Sequence, residues 1–256
     1  MSTTMLIDSH CHLDFEIFDG DRQQILQRAI ENNISDIVIP GTEKRYWQRI
    51  NKLCASHKNL HACYGLHPYW INNHTQQDLA QLEKYIGTHM PVGLGECGLD
   101  FRRQQIDKKT QLIFFEAQLA IAENQQLPVV IHSVKASEVV IQSIKKFKKL
   151  SGMIHSYSGS FEQAKQLIDL NFFISISGSV TYDNAKKIKT VVKKLPLTSL
   201  LLETDAPDQS DQNNADKRNE PAYLVNTLNV ISVLRNEQPD IIARQTTLNA
   251  KKLFSL

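Results

Sequence analysis

Three short apolar runs, Leu127-Pro-Val-Val-Ile-His132, Met153-Ile-His-Ser-Tyr157 and Phe172-Phe-Ile-Ser-Ile-Ser177, alternate with stretches of helical period. A Lys-rich helical stretch follows the first run, and Phe161, Ala164 and Ile168 mark one face of a helix after the second. The same alternation extends outward. Upstream runs occupy 6–8, 36–40, 60–66 and 91–97, and a downstream run occupies 199–204. Helices are predicted over 21–33, 46–57, 76–89 and from about Asp107, then up to Leu195, from Pro221 and over 241–254. Eight strand candidates alternating with helices imply an α/β fold with a parallel sheet covered by helices. Eight such units in 256 residues fit a closed (β/α)8 TIM barrel, a single domain over 1–256, with an open doubly wound sheet as the alternative.

With 41% hydrophobic residues, the chain has enough apolar material for a core, and disorder is excluded as its general state. No run approaches the roughly 20 apolar residues that span a bilayer. The first five residues, Met1 to Met5, lack the basic and apolar regions of a signal peptide. A soluble cytoplasmic protein with no membrane contact is therefore expected. The 29 basic and 27 acidic side chains leave a formal charge of +2, which excludes a strongly basic nucleic-acid coat but not a local basic patch. Cys11, Cys54, Cys63 and Cys97 form no C-x-x-C pair and read as reduced thiols.

The first run leads into Asp8-Ser-His10-Cys-His12. Alternation along a strand turns His10 and His12 to one side and Cys11 to the other, so two imidazoles converge at a strand end. That is half a metal site, although a His-x-His pair alone reads equally well as a surface or core pair. Position decides between them, because barrel active sites lie at the C-terminal ends of the strands. Other runs end in Glu96, His132, His155 and Asp205, each costly to bury alone after an apolar stretch. Six donors exceed the four ligands of one zinc ion and suit two ions bridged by a carboxylate. The segment Gly93-Leu-Gly95-Glu-Cys-Gly98 matches the dinucleotide fingerprint G-x-G-x-x-G, but no helix is predicted to open on it. Its glycines read instead as room for the chain near Glu96.

The ordered set Asp8-Ser-His10-Cys-His12-Leu-Asp14, Gly65-Leu-His67-Pro68, Gly95-Glu96-Cys-Gly-Leu-Asp100-Phe, Ile131-His132-Ser, Glu203-Thr-Asp205-Ala-Pro207 and Arg218-Asn-Glu220-Pro221 resembles the TatD family of metal-dependent deoxyribonucleases. The resemblance spans nearly the whole chain. It implies a hydrolase barrel holding two divalent cations (zinc, manganese, magnesium or iron) that attacks phosphodiesters, with 3'-5' exonuclease action at DNA ends. By the same resemblance, His10, His12, Glu96 and Asp205 hold one ion, and Glu96 bridges to a second held by His132 and His155. Glu96 and Asp205 carry the chemistry, with Asp205 orienting the attacking water and taking its proton. His67 is implied as a phosphate contact, with a structural role beside Pro68 as the alternative. Arg102 follows the Glu96 strand beside Asp100 and is a second candidate phosphate contact through its planar fork, or else an exposed loop charge. Glu203 shares a strand face with Asp205 and is expected to accept hydrogen bonds inside the mouth. The polar loop 208–217 departs from the family pattern and carries no assignment.

Two other classes remain open. A lactonase or cyclic amidohydrolase on the same barrel commonly bridges its metals with a carboxylated lysine on strand four, where this chain has Glu96. A metal-stabilised binding protein without catalysis is the second. His57, His61, His74 and His89 follow no pattern and read as surface residues, and a monomer is expected. The lysines over 145–149 and 186–194 are expected on helices five and seven, as solvated faces rather than a polyanion track.

Overall fold

The computed structural model describes residues 4–102 and 107–256. Residues 1–3, read above for a leader, lie outside them, as do residues 103–106. Eight parallel strands pair in chain order: β1 (Leu6–Asp8), β2 (Ile34–Pro40), β3 (Leu60–Tyr64), β4 (Gly93–Asp100), β5 (Val129–Val134), β6 (Gly152–Ile154), β7 (Phe172–Ile176) and β8 (Leu200–Leu202). Helices α1 (Arg22–Glu31), α2 (Lys44–Ser56), α3 (Gln76–His89), α4 (Lys108–Gln125), α5 (Ser137–Ile144), α6 (Phe161–Asp169) and α7 (Lys186–Lys194) connect successive strands. After β8 the chain runs through a long loop into α8 (Leu224–Arg235) and α9 (Pro239–Phe254). This is the expected (β/α)8 barrel, not the open sheet.

The seam between β8 and β1 is closed just beyond the ends of both strands. Ser9 N–H and Oγ both donate to Leu202 O, Asp205 N–H donates to His10 O, and His12 N–H to Ala206 O, at 2.8–3.0 Å. Asp8 reinforces the seam by accepting from Thr204 Oγ1 at 2.5 Å and from the backbone N–H groups of Thr204 and His10. Burial pushes the Asp8 carboxyl up to about 7, against these lowering hydrogen bonds.

Inside the barrel, Ile7, Val38, Cys63, Val130, Met153 and Leu201 form an apolar floor that Ala250, Leu253 and Phe254 of α9 plug from below. A second cluster packs the outer strand faces against the helices. Period-two alternation then aims the mouth. Val130 belongs to the floor, so His132 two residues on points inward as well, and Met153 and His155 repeat the relation. In β4 the pairing register with β5 shifts between Leu94 and Cys97, and both of these pack outward, leaving Glu96 to face the interior.

Several expected boundaries move. Strands six and eight end at Ile154 and Leu202, so His155 and Asp205 sit beyond them on loops. Helix α5 ends at Ile144, so the lysines over 145–149 follow that helix rather than lie on it. Conversely β4 runs on to Asp100, which leaves the G-x-G-x-x-G segment extended and without a helix to open. Its glycines answer to crowding. A Cβ on Gly98, at φ +139°, would stand 2.0 Å from His132 O, and one on Gly95, at φ +153°, 2.7 Å from Val130 Cβ.

Gly98→Ala is expected to lose about 3 kcal/mol or more in urea unfolding, from overpacking and strain together. Gly87→Ala, on an exposed turn of α3 with nothing within 4 Å, is expected to gain about 0.5–1 kcal/mol. Similar effects at the two positions would refute the crowding argument.

Candidate metal centre

Four side-chain atoms converge at the barrel mouth. His10 Nε2 lies 3.2 Å from His12 Nε2, 3.2 Å from Glu96 Oε2 and 3.3 Å from Asp205 Oδ1. His12 Nε2 is 3.3 Å from Glu96 Oε2 and 3.5 Å from Asp205 Oδ1. Ligands about 2.0–2.1 Å from a tetrahedral ion are separated by about 3.3–3.4 Å, and these five separations match five of the six edges of such a tetrahedron. Glu96 Oε2 is buried and accepts no well-aligned hydrogen bond, which suits a carboxylate oxygen directed at a cation.

The other Glu96 oxygen faces a second nest. His67 Nε2, His132 Nδ1 and His155 Nε2 each lie 3.0 Å from Glu96 Oε1, and His132 Nδ1 is 3.0 Å from His155 Nε2. Donors at right angles about 2.1 Å from an ion are about 3.0 Å apart, so this spacing also fits divalent coordination. The nitrogen-rich donor set suits zinc, manganese or iron better than magnesium, which prefers oxygen.

His10 and His12 reach their places by a different route from the one read in the sequence. β1 ends at Asp8, and floor residue Ile7 would put Ser9 and Cys11 inward had alternation continued. Instead Cys11 packs in the outer core, because the seam hydrogen bonds around His10 and His12 reset the chain. Both imidazoles still face inward. His132 is held from behind by Asp100, whose Oδ2 lies 3.1 Å from His132 Nε2. Asp100 also accepts from Arg102 Nη2 at 2.8 Å, so Arg102 is tied to the carboxylate that orients His132 while its head stays half exposed at the mouth. Glu203 accepts from Ser156 N–H at 2.5 Å and lies 3.5 Å from His155 Nδ1. Such carboxylates behind histidines set ring orientation and tautomer.

The buried charges perturb one another strongly. Burial opposes ionisation of Glu96, yet the surrounding histidines hold its carboxyl well below the ordinary range. Burial likewise opposes ionisation of Asp205, but the His10 hydrogen bond and the His155 charge bring it down to about 2. Burial and the neighbouring His155 depress His10, but Glu96 and Asp205 outweigh them and lift it to about 9. His67 is different: burial dominates and lowers it to about 4, so its ring is neutral at physiological pH.

The nine residues singled out in the sequence, His10, His12, His67, Glu96, Arg102, His132, His155, Glu203 and Asp205, line one mouth or abut it. His67 comes closer to Glu96 than a peripheral phosphate contact requires. The four histidines left out, His57, His61, His74 and His89, stay away from the mouth, but all are partly buried rather than exposed. His61, for instance, pairs with Asp36 at 2.8 Å. Gln209 and Ser156 were missed. Gln209 donates from Nε2 to Asp205 Oδ2 and comes from the unassigned loop, where nothing local marks it. The mouth holds a cavity of about 670 Å³ whose walls also include Phe15, Tyr69, Trp70, Ser156, Ser158 and Ser179.

The family model for TatD-related DNases matches residues 7–255. The chain is 34% identical to an uncharacterised metal-dependent hydrolase of Escherichia coli K12, YjjV, over 98% of each chain. The crystal structure of YjjV superposes with a TM-score of 0.94 over 98% of both chains. Identity is also 34% to the uncharacterised metal-dependent hydrolase YabD of Bacillus subtilis 168, over 98% of this chain and all of that one. A relative from Erwinia tasmaniensis named 3'-5' ssDNA/RNA exonuclease TatD is 30% identical over 98% of this chain and 100% of its own length. With ligand-forming side chains at the mouth and family similarity along nearly its whole length, the chain belongs to the TatD family of metal-dependent hydrolases.

Proposed function

We propose that this hydrolase is a two-metal phosphodiesterase that removes nucleotides from the 3' end of single-stranded DNA or RNA. The observation that carries the reading is the division of Glu96 between two donor nests, one on each carboxylate oxygen. His10, His12, Glu96 and Asp205 would hold one divalent cation, and Glu96, His132 and His155 the other. When bound, such a pair supplies Lewis-acid polarisation of a phosphoryl oxygen and acidifies water at neutral pH.

The remaining tasks fall to the chain itself. Asp205, kept ionised, orients the attacking water and accepts its proton. His67, neutral and buried at the cavity wall, donates a hydrogen bond to a non-bridging phosphate oxygen once Glu96 is engaged elsewhere. Arg102, anchored through Asp100, offers its remaining guanidinium N–H groups to the phosphate. Phe15, Tyr69 and Trp70 give an unstacked base an aromatic wall, which favours single strands and ends over duplex interiors. The Erwinia relative named as a 3'-5' ssDNA/RNA exonuclease supports the same polarity. The protein is proposed to work as a cytoplasmic monomer, and among the described residues no helix is long and apolar enough to cross a membrane.

Metal-loaded protein is expected to release mononucleotides from single-stranded DNA, to lose that activity on chelation and to regain it with zinc or manganese. A 3'-blocked strand should resist. Protein that cleaves lactones or cyclic amides but leaves DNA, RNA and simple phosphodiesters intact would refute the nuclease reading.

His132→Ala is expected to lower the bound metal from two ions to one per chain by elemental analysis, and activity by at least about 100-fold. Unchanged metal content and rate would overturn the second nest. His67→Ala should keep both ions while the rate falls by about 10–1,000-fold. Loss of an ion in this variant would make His67 a ligand instead of a phosphate contact.

A further inference from the structure

The loop over 208–217 reaches the mouth through Asp208 and Gln209. Asp205 directs Oδ1 at His10 Nε2 and His12 Nε2, while its other oxygen, Oδ2, accepts a hydrogen bond from Gln209 Nε2. The opposite end of the same amide, Gln209 Oε1, accepts from Ser156 Oγ at 2.5 Å and from Ser177 Oγ at 2.7 Å. The ionised Asp205 carboxylate can only accept, which settles which end of the amide faces it, and the serine hydroxyls can donate to the other end. A flipped amide would turn its N–H groups to Ser156 and Ser177 and leave the carboxylate facing a carbonyl oxygen.

The backbone is built to hold this amide in place. Gln209 occupies the left-handed region at φ +53°, and so does Asp205 at φ +59°, with Asp208 N–H closing a turn onto Asp205 O at 2.9 Å. Gly178 makes room, since a Cβ there would meet Gln209 O at 2.6 Å. Beyond the glutamine, Tyr182 Oη donates to Ser210 O at 3.1 Å, and buried Asp211 accepts from Asn213 N–H and from the Asn214 and Asn226 side chains at 2.8–3.0 Å. The loop thus bridges the ends of β6, β7 and β8 through one side chain.

We propose that Gln209 is a positioning residue that fixes the Asp205 carboxylate, reserving Oδ1 for a cation held with His10, His12 and Glu96. Without the amide donor, Asp205 is free to turn about its terminal torsion and present both oxygens to the ion. Affinity and coordination geometry of that ion then depend on Gln209, although the glutamine never touches it. This assignment concerns the metal site and stands whether or not the substrate is a nucleic acid.

The test uses Gln209→Met, which keeps side-chain length without the amide, and Gln209→Ala as a second version should methionine disturb the packing. Tyr182→Phe removes a loop anchor while leaving the Gln209 side chain intact and serves as the structural control. Zinc binding is measured by calorimetry on metal-free protein, and cobalt-loaded protein by its visible absorption, which is strong for tetrahedral and weak for higher coordination. Both Gln209 variants are expected to bind one of the two zinc ions roughly 10–100-fold more weakly and to lose cobalt absorption, while metal-free protein still melts cooperatively. Tyr182→Phe should match the unsubstituted protein in both readouts. Wild-type zinc affinity and cobalt spectrum in the Gln209 variants would overturn the proposal, as would an equal loss in Tyr182→Phe.

Discussion

The Glu96 carboxylate places one buried negative charge within 3.0–3.3 Å of five imidazole nitrogens, those of His10, His12, His67, His132 and His155. No apolar barrel interior tolerates that density of polar groups unless they compensate one another, and a buried carboxylate is worst placed of all. The compensation here is reciprocal. The histidines hold the glutamate ionised, and the glutamate lifts the basicity of His10 and His155. Divalent cations would take over the same role with greater charge and more exacting geometry. Both donor nests depend on one side chain reaching the interior from β4, and that in turn depends on glycines that let β4 lie against β5.

A single barrel carries two incompatible interiors because its strands change character along their length. At the floor, alternate residues are apolar and α9 closes them off. Two residues further along, the same face presents histidine or carboxylate to a water-accessible mouth. Strand alternation therefore converts a sequence step of two into a passage from core to site, as Val130 to His132 and Met153 to His155 show. The supporting carboxylates Asp8, Asp100 and Glu203 stand one layer out. They bond to backbone or ring N–H groups and so orient the ligand-forming residues.

Much of this was legible from linear pattern. Apolar runs separated by helical stretches announce eight β/α units, because each unit must bury one strand and one helix face whatever its neighbours do. Glu96, His132, His155 and Asp205 stood out because a polar group directly after an apolar run needs a reason to be there. His10 and His12 were found through strand alternation, though the structure shows that seam hydrogen bonds turn them inward after the strand has stopped. Boundaries were less legible. Where β6 and β8 end is set by how far their partners reach, and the end of α5 before the lysines reflects packing that the Lys-rich composition does not record.

Fold class and the chemical identity of the mouth follow from local periodicity and from which residue types end the strands, so the chain alone carries them. Which donors meet is another matter. His67 comes to lie as close to Glu96 as His132 does, and Gln209 crosses from a polar loop to Asp205 while gripping two serines more than thirty residues away along the chain. Closing the barrel sets these contacts, because it fixes distances between side chains whose separation in sequence carries no information about their separation in space.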